Sequence, residues 1–217
     1  MKIRVLVLIS LLFSLSAFGQ EYSTFYHQRA SLFEELPIKK GDIVFVGNSL
    51  TNGGEWFELF NNLKVKNRGI SGDVCQGVYD RLDPILKGRP KKIFLMIGVN
   101  DLARGKSVDN IIEGIYAIVD KIKRDSPRTK IYVQSLLPFN NTFSTFSGHT
   151  SKGSEVLAIN GLLASLAKEW EVTFIDLYGH FIDEADGKMD KKYTNDGLHL
   201  LGAGYTLWAQ LLKPYVK

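Results

Sequence analysis

Five short apolar runs punctuate the chain, and longer stretches with apolar residues every three or four positions lie between them. Asp42 to Gly47 carries Ile43, Val44, Phe45 and Val46 in succession. Ile93 to Ile97, Ile131 to Gln134 and Val172 to Asp176 read the same way, and Val65 to Asn67 is a weaker fifth. Runs this short and continuous suit strands buried on both faces. Val108, Ile111, Ile112, Ile115, Ile118, Val119 and Ile122 instead follow the i, i+3, i+4, i+7 spacing of an amphipathic helix, with Ser107 as its N-cap and Pro127 beyond its end. Val156 to Trp170 and Tyr205 to Val216 predict two further helices of the same kind, and a polar helix around His27 precedes the first strand. Strands alternating with helices predict a parallel sheet covered on both faces, a three-layer α/β/α sandwich with five parallel strands. No domain-scale linker, low-complexity segment or internal repeat interrupts the pattern.

Residues 1–19 stand apart from it. Lys2 and Arg4 make a basic start, Val5 to Leu15 is apolar, and Ala17-Phe18-Gly19 offers small residues for cleavage. That series reads as a secretory signal peptide, with residues 20–217 as the mature domain and a secreted or periplasmic destination. The alternative is a buried N-terminal helix. The apolar run is short for a bilayer span, which takes about 20 residues. No Cys follows Gly19 to carry a lipid, so no membrane insertion is expected once the leader is removed. What remains is long enough for one well-buried core. The formal net charge is +4 with no run of five like charges, which gives a nucleic-acid partner no electrostatic support. Cys75 is the single cysteine, so neither an internal disulfide nor a Cys-rich metal site is expected. It reads as a small buried thiol packing a helix start, or else as a redox-sensitive neighbour of a site.

The candidate chemistry lies toward both ends of the chain. Ser49, in Gly47-Asn48-Ser49-Leu50, follows the first predicted strand, where open α/β sheets place their ligands. Alone it would read as an N-cap. Asp196 and His199, in Asp196-Gly197-Leu198-His199, sit three apart near the C-terminus. Serine hydrolysis needs a hydroxyl, an imidazole to take its proton and a carboxylate to fix the imidazole tautomer. Between them Gly72, in Asn67-Arg68-Gly69-Ile70-Ser71-Gly72-Asp73, offers a backbone N–H, and Asn100, in Ile97-Gly98-Val99-Asn100-Asp101, offers a side-chain amide to a developing oxyanion. Asn100 could equally cap a turn. His27, His149 and His180 are the rivals of His199 as base. The one long irregular stretch, Leu137 to Ser154, carries Phe139, Phe143, Phe146 and His149, which suits either a binding loop able to stack on a sugar or a loose surface loop. Asn140-Asn141-Thr142 matches a glycosylation sequon and is given no role.

Ser49, Gly72, Asn100 and His199, in that order and spacing, resemble the four blocks of the SGNH (GDSL-type) esterase and acylhydrolase superfamily, from about Asp42 to Tyr205. The resemblance implies a flavodoxin-like fold and hydrolysis of carboxylic esters without metal or cofactor. Ser49 is then the nucleophile, His199 the base and Asp196 its orienting partner, with Ser49, Gly72 and Asn100 as the oxyanion hole. Position 48 departs from the family's Gly-Asp-Ser, since Asn48 stands where Asp is usual. Asn67 to Asp73 and Arg81-Leu82 are similar to the branch with platelet-activating-factor acetylhydrolase-like and sialate O-acetylesterase-like proteins. That branch implies removal of short acyl groups, acetyl above all, from carbohydrates such as sialic acid or other glycans. A lysophospholipase or thioesterase acting on longer chains, and a catalytically silent glycan-binding module, are the alternative readings.

Overall fold

The computed structural model describes residues 21–217, and the expected leader over residues 1–19 lies outside the described residues. In chain order the elements are α1 (Thr24–Glu35), β1 (Ile43–Gly47), α2 (Ser49–Asn52), α3 (Trp56–Leu59), β2 (Val65–Gly69), α4 (Cys75–Asp80), α5 (Asp83–Lys87) and β3 (Lys92–Met96). Then follow α6 (Val99–Ala103), α7 (Val108–Asp125), β4 (Lys130–Gln134), α8 (Ser147–Thr150), α9 (Gly153–Leu166), β5 (Thr173–Ile175) and α10 (Gly202–Val216). The five strands are all parallel in the order β2-β1-β3-β4-β5, which is the flavodoxin-like arrangement expected from the sequence.

Side chains alternate across a strand, so residues in register share a face. Phe45, Phe94 and Tyr132 are aligned on β1, β3 and β4, and their rings stack at 4.8 and 4.6 Å. Trp56 of α3 continues the stack on Phe45 at 4.4 Å, and Trp208 of α10 meets Trp56 edge-on at 4.9 Å. This aromatic face is therefore closed by α3 and α10. Val44, Val46, Ile93 and Leu95 turn to the other face, all essentially buried. There α7 packs with α4, α5, α6 and α9. Ser107 caps α7 by accepting from the Asn110 N–H at 3.2 Å, and Ile111, Ile115, Ile118, Val119 and Ile122 form its buried stripe.

The elements differ from the sequence reading chiefly at their ends. Val65 begins a full five-residue strand that read as weak because β2 is an edge, with Lys66 and Asn67 half-exposed. The helix predicted over Val156 to Trp170 starts at Gly153 and ends at Leu166, because the chain turns at Glu171 (φ 51°) and the Val172 N–H reaches back to the Ala167 carbonyl at 2.9 Å.

The order of strands reverses between β1 and β3, and loops leaving their carboxyl ends diverge there. A ligand crevice is expected at such a switch point. β1 ends two residues before Ser49, β2 three before Gly72 and β3 four before Asn100. Register pairs Gly47 with both Gly69 and Met96, so the three loops start side by side.

Candidate active site

Ser49 opens α2, directly after β1, and is half-exposed while its neighbours are buried. Asn48, almost fully buried, caps the turn by accepting from the Leu50 N–H at 3.1 Å. A neutral amide thus does the capping without burying a charge beside Ser49. The short helix folds back onto β2, and a Cβ on Gly69 would lie 2.3 Å from the Asn52 nitrogen, so only glycine fits there. Asn67 fastens the far end of α2: its amide nitrogen donates to the carbonyls of Thr51, Asn52 and Gly54 at 3.0, 3.0 and 2.9 Å. Thr51 and Asn52 form the last residues of α2, and the Thr51 carbonyl also accepts from the Trp56 Nε1 at 2.8 Å. Tyr205 of α10 donates to the Leu50 carbonyl at 3.0 Å and ties the last helix to the serine turn.

His199 arrives on the segment before α10. Its Nε2 lies 3.0 Å from the Ser49 Oγ, and its Nδ1 lies 2.8 Å from Oδ2 of Asp196. The other carboxylate oxygen accepts the backbone N–H groups of Leu198 and His199 at 2.8 and 2.7 Å. Partial burial pulls the Asp196 pKa up, but those two N–H groups and the imidazole outweigh it and hold the carboxyl below its usual range. An ionised Asp196 keeps the proton on Nδ1 and leaves Nε2 as an acceptor facing the serine hydroxyl. The structure thus brings together Ser49, His199 and Asp196, in the geometry of a hydroxyl activated by a base.

Gly72 takes a positive φ of 80°, which favours glycine, and its carbonyl accepts from Arg104 at 2.9 Å. Asn100, on the first turn of α6, is buried and donates through Nδ2 to the Asp73 carbonyl at 2.8 Å. Arg81 underpins both loops from within. Its Nε meets Asp73 at 2.8 Å, while Nη1 and Nη2 donate to the carbonyls of Arg68 and Gly47 at 2.8 and 3.1 Å. Burial pushes the Asp73 carboxyl up, and Arg81 pulls it back part of the way. Asp101, also raised by burial, accepts the Cys75 N–H at 3.1 Å and caps α4. Cys75 is buried against Gly114 of α7, and burial first, then Asp101, pushes its thiol well above the ordinary range. This is the packing thiol and not the reactive one of the two sequence readings.

The rivals of His199 separate cleanly. His27 sits exposed on α1, and His180 sits exposed on a 3₁₀ turn after β5. His149 does reach the site, but its Nε2 lies 2.9 Å from Oδ1 of Asn100 instead of facing Ser49. No local pattern signals that pairing, because the two lie 49 positions apart in the chain with a loop between them. The Phe residues of the loop divide likewise. Phe139 is buried in the core, whereas Phe146 is half-exposed with its ring edge-on to His199 at 4.9 Å. Asn140 of the sequon is 2% exposed, with its amide donating to the Met189 carbonyl at 2.7 Å, so the fold leaves no room for a glycan there. Among the described residues no cluster of three or more His, Cys, Asp or Glu side chains could hold a metal ion. An open groove of about 740 Å³ lies by the opposite ends of the strands, between Lys40, Arg89, Lys91 and Arg128, far from this chemistry.

Residues 45–207 match the profile of the GDSL-like Lipase/Acylhydrolase family. The platelet-activating factor acetylhydrolase IB subunit alpha2 of Rattus norvegicus is 32% identical over 182 residues, covering 81% of this chain and 75% of the relative. A solved structure from Streptococcus pneumonia, described provisionally as a platelet activating factor, superposes with a TM-score of 0.81 at 30% identity, covering 89% of this chain and 93% of the other. A GDSL-like lipase from Bacteroides thetaiotaomicron shares the fold with a TM-score of 0.75 at 23% identity, over 88% and 96% of the two chains.

Proposed function

The chain belongs to the GDSL-like lipase/acylhydrolase family and is an ester hydrolase, and within that family we propose that it removes short acyl groups, acetyl foremost, from the oxygens of a carbohydrate. The observation that carries the reading is the Ser49–His199–Asp196 relay, with contacts of 3.0 and 2.8 Å. In this reading His199 takes the Ser49 proton as Oγ attacks the ester carbonyl. The N–H groups of Ser49 and Gly72 and the amide of Asn100 hold the oxyanion. His199 then returns the proton to the leaving alcohol, and water attacks the acyl-enzyme by the same route.

The acyl length is supported by the acetylhydrolase relative and by the groups beside the base. Phe146, His149 and Arg104 frame the site, and the loop that carries the first two is rich in Ser, Thr and Asn. A single aromatic edge with polar neighbours suits a sugar acetate better than an aliphatic tail. The signal-peptide pattern of residues 1–19 supports a secreted or periplasmic enzyme meeting such glycans. Intact mass of the protein from its native host tests that placement, and a species retaining Met1 to Gly19 would reject it.

The substrate test is kcat/KM across p-nitrophenyl acetate, butyrate, octanoate and palmitate, followed by acetate release from a panel of acetylated glycans. Each methylene buried in a true acyl groove adds about 0.8 kcal/mol, so a lipase-like site improves steadily with length. A maximum at acetate is expected, absent in Ser49→Ala. A rising series would move the assignment to longer-chain lysophospholipid or thioester substrates.

A further inference from the structure

We infer that His149 is a positioning residue that locks the Asn100 amide in the orientation needed to donate to the oxyanion. The inference rests on the proposed role of Asn100 and adds a second requirement to it. An Asn side chain can present oxygen or nitrogen to a given point by turning half a revolution about a soft terminal torsion. Only one orientation donates to an anion; the other places a carbonyl oxygen against it. Two contacts of opposite polarity decide which occurs. The Asp73 carbonyl, which can only accept, takes one N–H of Nδ2 at 2.8 Å. The opposite end of the amide then faces His149, whose Nε2 lies 2.9 Å from Oδ1. With Oδ1 able only to accept, Nε2 must be the protonated nitrogen of the ring. The second N–H of Nδ2 is left for the substrate.

The loop around His149 is built to hold it there. The His149 N–H closes onto the Phe146 carbonyl at 2.9 Å, and the Phe146 ring meets both histidines edge-on, His149 at 6.0 Å and His199 at 4.9 Å. Burial, then the nearby His199 and Arg104, lower the His149 pKa, which keeps the ring neutral with its one proton committed to Asn100. The base and the oxyanion donor are thereby braced by one loop, α8 and the turn before it.

The test compares His149→Phe and His149→Gln with wild type, each also in an Asn100→Ala background, using p-nitrophenyl acetate. His149→Phe keeps the ring but loses the donor, and kcat should fall about tenfold with KM nearly unchanged, because the amide acts on the transition state. His149→Gln restores an N–H at the same reach and should recover kcat to within about threefold of wild type. In the Asn100→Ala background His149→Phe should cost less than about twofold, since residues acting through one another are not additive. Wild-type kcat in His149→Phe, no recovery in His149→Gln, or an undiminished loss in the double variant would each overturn the inference. A wild-type kcat in Asn100→Ala would instead overturn the oxyanion role on which it rests.

Discussion

Asp196→Asn isolates what the carboxylate does, because it changes one oxygen for nitrogen without changing size. In the wild-type protein Oδ1 accepts the N–H groups of Leu198 and His199 at 2.8 and 2.7 Å, and Oδ2 accepts from His199 Nδ1 at 2.8 Å. An asparagine has one acceptor end. The two backbone donors claim it, which turns the amide NH2 toward Nδ1 of His199. That nitrogen must then be unprotonated, so the ring carries its proton on Nε2 and presents a donor, not an acceptor, to the Ser49 hydroxyl 3.0 Å away. The base is in the wrong tautomer before the reaction starts. An equivalent change in a serine protease costs about 10⁴ in kcat, or about 5.5 kcal/mol of barrier. A loss of about 10³–10⁴ is expected here, measured as kcat on p-nitrophenyl acetate near pH 7. Stability should respond with a definite sign. The Asp196 carboxyl is held below its usual range, so its ionisation favours the fold above the unfolded-state pKa of about 3.9 and ceases to do so as pH falls through the lower folded value. Wild type should therefore melt above Asp196→Asn at neutral pH, with the gap closing below about pH 4. A kcat within tenfold of wild type would refute the tautomer argument.

Asn100→Ala should lower kcat by about 10²–10³ while leaving KM close to wild type, and an effect confined to KM would mean that Asn100 binds substrate instead. Arg81→Ala strands the buried Asp73 carboxylate and three hydrogen bonds, and should destabilise the fold by about 3–5 kcal/mol, read as a lower urea midpoint at unchanged m. Cys75 should resist iodoacetamide in the native enzyme and label only on unfolding, so rapid labelling of active protein would contradict its burial.

Much of this was legible beforehand because the core strands are buried on both faces and carry little but apolar residues. β1, β3 and β4 could be placed to within a residue, and α7 by its isoleucine stripe. The edge strand β2 was harder, since Lys66 and Asn67 meet solvent and break the run. The helices α2, α4, α5, α6 and α8 have four to six residues each, too few to show a 3.6-residue period. Their positions depend on tertiary hydrogen bonds such as those of Asn67 and Arg81, which no local pattern announces. The residues of the relay could be singled out because hydrolysis demands particular groups. The partnership of His149 with Asn100 could not, for a histidine in a polar loop says nothing of what it will meet.

Ser49 and His199 meet although they lie 150 positions apart in the chain, while the sheet beside Ser49 is complete by β5. The base is docked by α10 through Tyr205 on Leu50, a contact spanning 155 positions. Such distant closures cost the most chain entropy and come late in folding. Hydrolysis therefore serves as an internal clock for the final docking event: during refolding, far-ultraviolet ellipticity should recover before turnover. During synthesis the chain stays chemically silent until α10 has left the ribosome.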